Sequence, residues 1–495
     1  MESVETATPM PSTLIAGDRA GAHRERAPAG LLRALASLGL IGTLVSLFML
    51  AAGAAGAPTP FVPARQGGWP GWLAGPLAGL HLSLSDNRFQ TLMLILCASY
   101  VLVLVGVRAL SGWALGATIV LAQLILLLGP PLISQDVFGY LAFARMGALH
   151  GLDPYTHFPS EVPTDPSFRF VGWPFLHSPY GPLFTLASYA TAPMGLAAGL
   201  WVFKGVAVAS SLAAIAVIAR TARRMGQSAG WAAAFVGLNP VLLALGVGGA
   251  HNDTLILLVL AIALALTAGA SPRFRAAAAT MVVGVGVKVT AGLVLPFLVF
   301  APARARERVA VAASAGLSLL AVALVGLVGF GVHAFGFLTG VGEQQQLVST
   351  YSIPAETARL VGLSGTPIWW RHLFLAAFVL VLLYALWRTA RGADWRVAAG
   401  WSTLALLLST AWLVPWYAIW LLPLAAVSGD RRLRGATLVF CAYAVLIHLS
   451  LADPLLNPAR HFVHHSLPFP VPGARHRLEL SGFEILHHTQ LDLGW

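Results

Sequence analysis

The richest chemistry in the chain lies in residues 134–182, SQDVFGYLAFARMGALHGLDPYTHFPSEVPTDPSFRFVGWPFLHSPYGP. This stretch carries the carboxylates Asp136, Asp153, Glu161 and Asp165 between long apolar runs. Asp136 follows directly on the apolar run 121–133, so it stands at the mouth of a membrane helix, where water meets lipid. An ionisable group there is a functional-site candidate by default. An ionised carboxylate at a helix N-terminus is favoured by the helix dipole, and it suits a general base that activates an acceptor hydroxyl. The plainer reading of Asp136 is an N-cap or a solvated helix end.

Three further groups could serve such a site. Asp153-Pro154-Tyr155 and His177-Ser178-Pro179-Tyr180-Gly181-Pro182 are turn sequences on their face. They nevertheless bring Asp153, Tyr155, His157, His177 and Tyr180 into the same loop as Asp136, and aromatic faces with placed polar atoms are what sugars are gripped by. His251-Asn252-Asp253 sets three polar groups side by side between apolar runs, which is costly unless they are used or hydrated. A solvated loop is the alternative, and one such triplet is a weak signal for a metal site. Lys288 sits inside the apolar run 282–299. A buried lysine needs an anion, which a lipid-linked phosphate would supply; the alternative is snorkelling to an interface.

The composition fixes what must position these groups. Hydrophobic residues make up 57% of the 495 and charged residues only 10%, against roughly 25% charged in soluble domains. Many apolar runs are long enough to span a bilayer, so the chain reads as an all-α polytopic membrane protein. The formal net charge of +11 then reports arginine-rich cytoplasmic loops and not nucleic-acid binding. Of the 30 basic residues only Lys204 and Lys288 are lysine, which makes each lysine in an apolar run notable. Cys97 and Cys441 lie within apolar runs and suggest neither a disulfide framework nor a metal site.

Arginine placement orders the chain. Residues 1–33 read as a disordered cytoplasmic tail, 34–452 as the membrane domain with 134–182 as an external catalytic loop, and 453–495 as an external tail. At ~20 residues per crossing the apolar runs predict about 11–13 helices. Two places resist simple alternation. Residues 180–193 read as a short helix that dips in without crossing, broken at Pro193-Met194-Gly195; Asn239-Pro240 kinks the run that follows. Residues 276–301, with Gly284, Gly286, Gly292 and Pro296, read as a hairpin of two short pieces turning near Lys288. Broken helices at membrane depth are tolerated where they line a cavity. The stretch 137–149, with Val137, Tyr140, Leu141, Ala144 and Ala148 on one side, reads as an amphipathic helix lying along the membrane surface.

The order Gln135-Asp136-Val137-Phe138-Gly139-Tyr140, Gly151-Leu152-Asp153-Pro154-Tyr155, Ser178-Pro179-Tyr180-Gly181-Pro182, Asn239-Pro240, Gly248-Gly249-Ala250-His251-Asn252-Asp253 and Lys288 resembles the polyprenol-phosphate-mannose-dependent α-1,6-mannosyltransferases of actinobacteria. These are membrane glycosyltransferases of the GT-C class. The resemblance implies a GT-C-like fold, a polyprenyl-phosphate sugar donor, a mannan or lipoglycan acceptor, and an active site on the external face of the cell membrane. It also implies an acidic residue in an early external loop, the position Asp136 matches; where a second acidic residue often stands beside it, this chain has Gln135. A β-linked donor giving an α-linkage is an inversion, for which one base suffices. On this reading Lys288, Arg371 and His251 meet the donor phosphate. Asp153, Tyr155, His177, Tyr180, Asn252 and Asp253 hold sugar hydroxyls, and Trp416 and Tyr417 stack on the acceptor. No cofactor is fixed, and a divalent cation (Mg or Mn) stays open. The competing function is a transporter or flippase of lipid-linked sugar, which would also use broken helices and a membrane lysine.

Overall fold

The computed structural model describes residues 28–62, 69–447 and 449, so almost all of the two expected tails lies outside the described residues. Among the described residues the regular elements are helical and no strand occurs. The first half holds α1 (Ala29–Gly56), α2 (Asp86–Gly106), α3 (Gly112–Leu128), α4 (Asp136–His150), α5 (Pro182–Tyr189), α6 (Gly195–Arg224), α7 (Ala229–Gly237) and α8 (Asp253–Thr267). The second half holds α9 (Phe274–Val287), α10 (Leu295–Phe300), α11 (Ala305–Phe330), α12 (Phe337–Gln346), α13 (Ile353–Leu360), α14 (Ile368–Ala390), α15 (Trp395–Ser409), α16 (Leu421–Ser428) and α17 (Arg431–Leu446).

Among the described residues, five helical stretches are long and apolar enough to cross a membrane, or six if the bent pair around Asn239-Pro240 counts as one span. Five shorter apolar helices, α3 and α8 among them, pack with these. The chain is therefore a multi-pass helical membrane bundle. Between apolar helices in lipid, close backbone approach through small residues replaces the hydrophobic drive of soluble cores. The α1–α2 pair shows it: a Cβ on Gly39 would fall 2.6 Å from the Ser99 carbonyl oxygen, and one on Gly106 would fall 2.1 Å from that of Leu32.

The expected breaks are present. α5 ends before a 3-10 turn at Ala192–Met194, and Gly195, at φ 81°, opens α6. α7 and the π-helical turn Val241–Val247 meet at 46° across Asn239-Pro240. Lys288 is extended (φ −153°, ψ 124°) between α9 and a 3-10 turn, Val289–Val294, that runs into α10. The backbone turns locally here, because a Cβ on Gly284 would lie 3.0 Å from Cβ of Ala291.

One expectation is corrected. α4 is not an amphipathic helix with one apolar face left for the membrane surface. Val137, Phe138, Tyr140, Leu141, Ala142, Phe143, Ala144 and Met146 are all buried, which covers nearly every face of the helix. Such a helix belongs inside a bundle. Phe138 stacks on Phe170, while Tyr140 meets Tyr180, Phe184 and Phe203 edge-on or tilted.

Candidate active site

The site is built where α4 begins. Asp136 is the first residue of α4, with Gln135 in the N-cap position, and its backbone N–H donates to Ser134 Oγ at 3.1 Å. Its carboxylate is mostly covered, with 17% of the side chain exposed, and its Oδ2 lies 3.3 Å from Nδ1 of His251. His251 is wholly buried. Its ring stacks on Trp416 with centroids 3.8 Å apart. The contact with Asp136 is close enough for an ion pair but falls short of hydrogen-bond geometry, and neither imidazole nitrogen has a hydrogen-bond partner among the described residues. Burying a polar group unbonded costs about 1–3 kcal/mol, and such a group beside a carboxylate calls for an explanation, of which a catalytic role is one. Nε1 of Trp416 and both polar atoms of the Asn252 side chain are also buried without partners.

The His251 turn sits here for local reasons. Ala250 takes φ 55°, which reverses the chain after the π-helical turn and starts α8 at Asp253. The backbone N–H of Asn252 donates to the Tyr140 hydroxyl, 3.3 Å away, tying this turn to α4. The triplet His251-Asn252-Asp253 is buried throughout, so the solvated-loop alternative is set aside.

A second polar group adjoins it. Lys288 Nζ donates to both Asp253 carboxylate oxygens, at 3.0 and 3.1 Å. Trp420 Nε1 donates to the same carboxylate at 2.7 Å. The ammonium also lies 4.6 Å from the Tyr417 ring centroid and 5.4 Å from that of Trp420, a cation–π arrangement. The anion that the sequence demands for Lys288 is therefore Asp253 in this structure. A paired, fully buried carboxylate has no oxygen presented to solvent, so Asp253 stands behind the site.

The third part is a cleft whose wall includes Gln135, Asp136, Trp173, His177, Tyr180 and Gln344. His177 donates its backbone N–H to Glu343 Oε2 at 2.9 Å, and its Nδ1 lies 2.6 Å from Oε1 of the same residue. This clasp joins loop 134–182 to α12. The turn Ser178-Pro179-Tyr180-Gly181-Pro182 is joined in turn to the break at Lys288, because Gly181 N–H donates to the Val287 carbonyl at 2.9 Å.

Asp153, Tyr155 and Arg371 are not brought to Asp136. The Asp153 carboxylate accepts the Tyr155 N–H at 2.9 Å and lies 3.2 Å from Nδ1 of His333. Tyr155 is buried beside Phe330 and Phe337, and its hydroxyl already donates to the Tyr180 carbonyl at 2.8 Å. It props the loop. Arg371 is bound at the surface to the carbonyls of Gln345 and Gln346, each at 3.2 Å, where it caps α12. Trp416 has one face covered by His251 and is buried, which leaves it a support for the imidazole and removes it as a stacking platform for an acceptor. Deeper in the loop, burial pushes the Asp165 carboxyl up, but hydrogen bonds from Arg145, Ser167 and His150 outweigh it and hold the group well below the usual carboxylate range.

Sequence reasoning missed Glu343, Gln344, Trp173 and Trp420 as members of the site. Only the run Glu343-Gln344-Gln345-Gln346 in an otherwise apolar chain offered a signal. Among the described residues no three His, Cys, Asp or Glu side chains converge as metal ligands. Asp136 with His251 is two donors of that kind, which does not fit a divalent cation held by this chain alone.

Comparison with known proteins bears on this arrangement. The chain is 27% identical over 215 residues to a protein of Mycolicibacterium smegmatis described as "Probable alpha-(1->6)-mannopyranosyltransferase", a match covering 37% of this chain and 36% of that protein. It is 29% identical over 361 residues to alpha-(1->6)-mannopyranosyltransferase A of Mycobacterium tuberculosis, covering 66% of this chain and 68% of that one. No solved structure matches. The family profile described as "Alpha-(1->6)-mannopyranosyltransferase, N-terminal domain" matches residues 36–304, which include Asp136, His251, Asp253 and Lys288, and so the chain belongs to this mannosyltransferase family.

Proposed function

We propose that the protein is an inverting membrane mannosyltransferase. It moves a mannosyl group from a polyprenyl-phosphate donor to an α-1,6-mannan or lipoglycan acceptor, at the external face of the cell membrane and with its N-terminus inside. The observation that carries this reading is the 3.3 Å contact between Asp136 Oδ2, which belongs to the wall of a small cleft, and the buried His251 Nδ1, in a chain of this family.

Asp136 takes the proton of the acceptor hydroxyl as its oxygen attacks the anomeric carbon, and the lipid phosphate leaves with the electrons of the broken bond. His251 stands where it can steady the carboxylate and share that proton, held in plane by Trp416. A positioned acid–base group of this kind contributes roughly 10²–10⁴-fold. Lys288 gives the site its one nearby lysine; drawn from Asp253 toward the donor, it meets the charge developing on the phosphate, the placement that matters most in such steps. His177 and Tyr180 border the sugar, and the Asn252 amide, buried and unbonded, stands ready for a hydroxyl.

The reading is tested by supplying membranes that contain the protein with polyprenyl phosphate bearing labelled mannose, together with a short α-1,6-mannoside. The expected result is a longer mannoside with an α-linkage. Movement of labelled lipid across the bilayer with no new glycosidic bond would favour a transporter instead.

A further inference from the structure

Strained backbone stands just before each member of the Asp136–His251 pair. Among the described residues, three non-glycines take positive φ: His81 at 51°, Ile133 at 70° and Ala250 at 55°. Ile133 lies three residues before Asp136, and Ala250 directly before His251. A β-branched residue is an outlier in this region, because its Cβ crowds the following carbonyl oxygen. The turn at Ile133 is also tight. The Ser134 N–H donates to the Leu132 carbonyl at 2.8 Å and so closes a three-residue turn, a strained form when the central φ is positive. Ser134 Oγ then accepts the Asp136 N–H at 3.1 Å. Such backbone persists only where its surroundings over-determine it.

Each turn is held by the other. The Leu132 N–H donates to the Gly248 carbonyl at 2.9 Å, and the Ile133 N–H donates to the Phe61 carbonyl at 2.7 Å. A Cβ on Gly248 would lie 2.3 Å from the Ala244 carbonyl oxygen and 3.3 Å from Cδ1 of Leu132, so the two segments meet too closely for a side chain there. Beyond it, the Ala250 and His251 N–H groups donate to the Val247 and Gly246 carbonyls, each at 3.0 Å. A run of hydrogen bonds thus leads from Asp136 through Ser134 and Leu132 to the turn that carries His251. Glycine would take these angles without strain, but it populates positive and negative φ about equally. A side chain confined to the small left-handed region leaves each turn one narrow setting.

From this we infer that Ile133 and Ala250 are positioning residues for the transfer reaction: their two turns, joined by the Leu132–Gly248 hydrogen bond, set the distance between Asp136 and His251. The inference rests on the transferase reading above, which takes that pair as the working groups.

The test replaces each residue with glycine in the full-length protein, which leaves the turn accessible and removes the constraint. Ile133→Gly and Ala250→Gly are compared with His81→Gly, which makes the same change at an exposed position in the loop before α2. Ile133→Val keeps the β-branch and separates the backbone constraint from packing. Initial rates of mannosyl transfer and amide hydrogen exchange over 247–252 are measured for each. A misplacement of ~1 Å costs up to about 10²-fold in rate. The Ile133 and Ala250 glycine variants are therefore expected to lose about tenfold in kcat with the donor KM within about twofold. His81→Gly and Ile133→Val should stay near wild type. Ile133→Gly should also speed exchange over 247–252 by about tenfold, although that turn carries no substitution. Wild-type kcat in both glycine variants, an equal loss in Ile133→Val, or unchanged exchange over 247–252 in Ile133→Gly would each overturn the assignment. Absence of transfer by the wild type would remove the transferase reading, while the exchange measurement would still decide whether the two turns are linked.

Discussion

Asp136 Oδ2, at the start of α4, and His251 Nδ1, in the turn before α8, lie 3.3 Å apart although distant in sequence, and the indole of Trp416 stacks on the imidazole. On the proposed mechanism this carboxylate at the start of a helix and this imidazole, whose ring nitrogens have no hydrogen-bond partner among the described residues, act as a proton-handling pair. Replacing His251 with Asn removes the ring nitrogens from Asp136 and uncovers Trp416. We expect turnover to fall by about 10²-fold with the donor KM little changed. A His251→Asn enzyme with wild-type kcat would show that the pair has no part in the reaction.

The Lys288–Asp253 pair gives a stability prediction. With side chains 11% and 0% exposed, it is largely desolvated. Lys288→Met leaves a buried, unpaired carboxylate, which costs about 3–5 kcal/mol. Removing both charges in Lys288→Met/Asp253→Leu should recover much of that loss. Unfolding of the detergent-solubilised variants checks it, and a double variant no better than the single would argue against a coupled pair.

Gly181 is the point where the loop packs backbone to backbone on the broken helix. A Cβ there would meet the Gly286 carbonyl oxygen at 2.4 Å and the Val285 carbonyl oxygen at 2.7 Å, and backbone cannot move aside as a side chain can. Gly181→Ala should destabilise the protein by about 1–3 kcal/mol and lower turnover by shifting the loop from the Lys288 break. An alanine variant with unchanged melting and rate would mean the two segments move freely.

Asp165 predicts a pH dependence. Its carboxyl is held below its unfolded value, so its contribution to stability is complete above the unfolded carboxylate pKa of about 3.9 and fades as pH falls through the lower folded value. Asp165→Asn should lose about 2–3 kcal/mol at pH 7, where its charged hydrogen bonds are missing. The gap to wild type should narrow as the pH drops below about 4. Melting curves of both proteins at neutral and acid pH decide it; a constant gap would contradict the assignment.

Local chemistry made much of this legible in the sequence. Apolar length marked the spans, Asn239-Pro240 marked a bend, and glycines around Lys288 marked a broken helix. Asp136 at the end of an apolar run marked the position where the structure places His251 beside it. Pairings between distant segments were not legible. That Lys288 faces Asp253, that Glu343 clasps His177 and that Tyr155 is spent on the Tyr180 carbonyl depend on how helices cross. The burial of α4 was hidden for a related reason. A helix enclosed on all sides in a membrane bundle needs no polar face, and the modest periodicity of 137–149 imitated one.

The central claim is that Asp136 is the base, and Asp136→Asn tests it most directly. The amide keeps the size of the side chain and removes its capacity to accept the proton. Transfer of labelled mannose to an α-1,6-mannoside would be measured for wild type and variant at matched membrane levels, with donor binding measured in parallel. The account predicts transfer by wild type, a loss of at least about 10²-fold in the variant, and donor binding retained. Equal transfer by both proteins would contradict it.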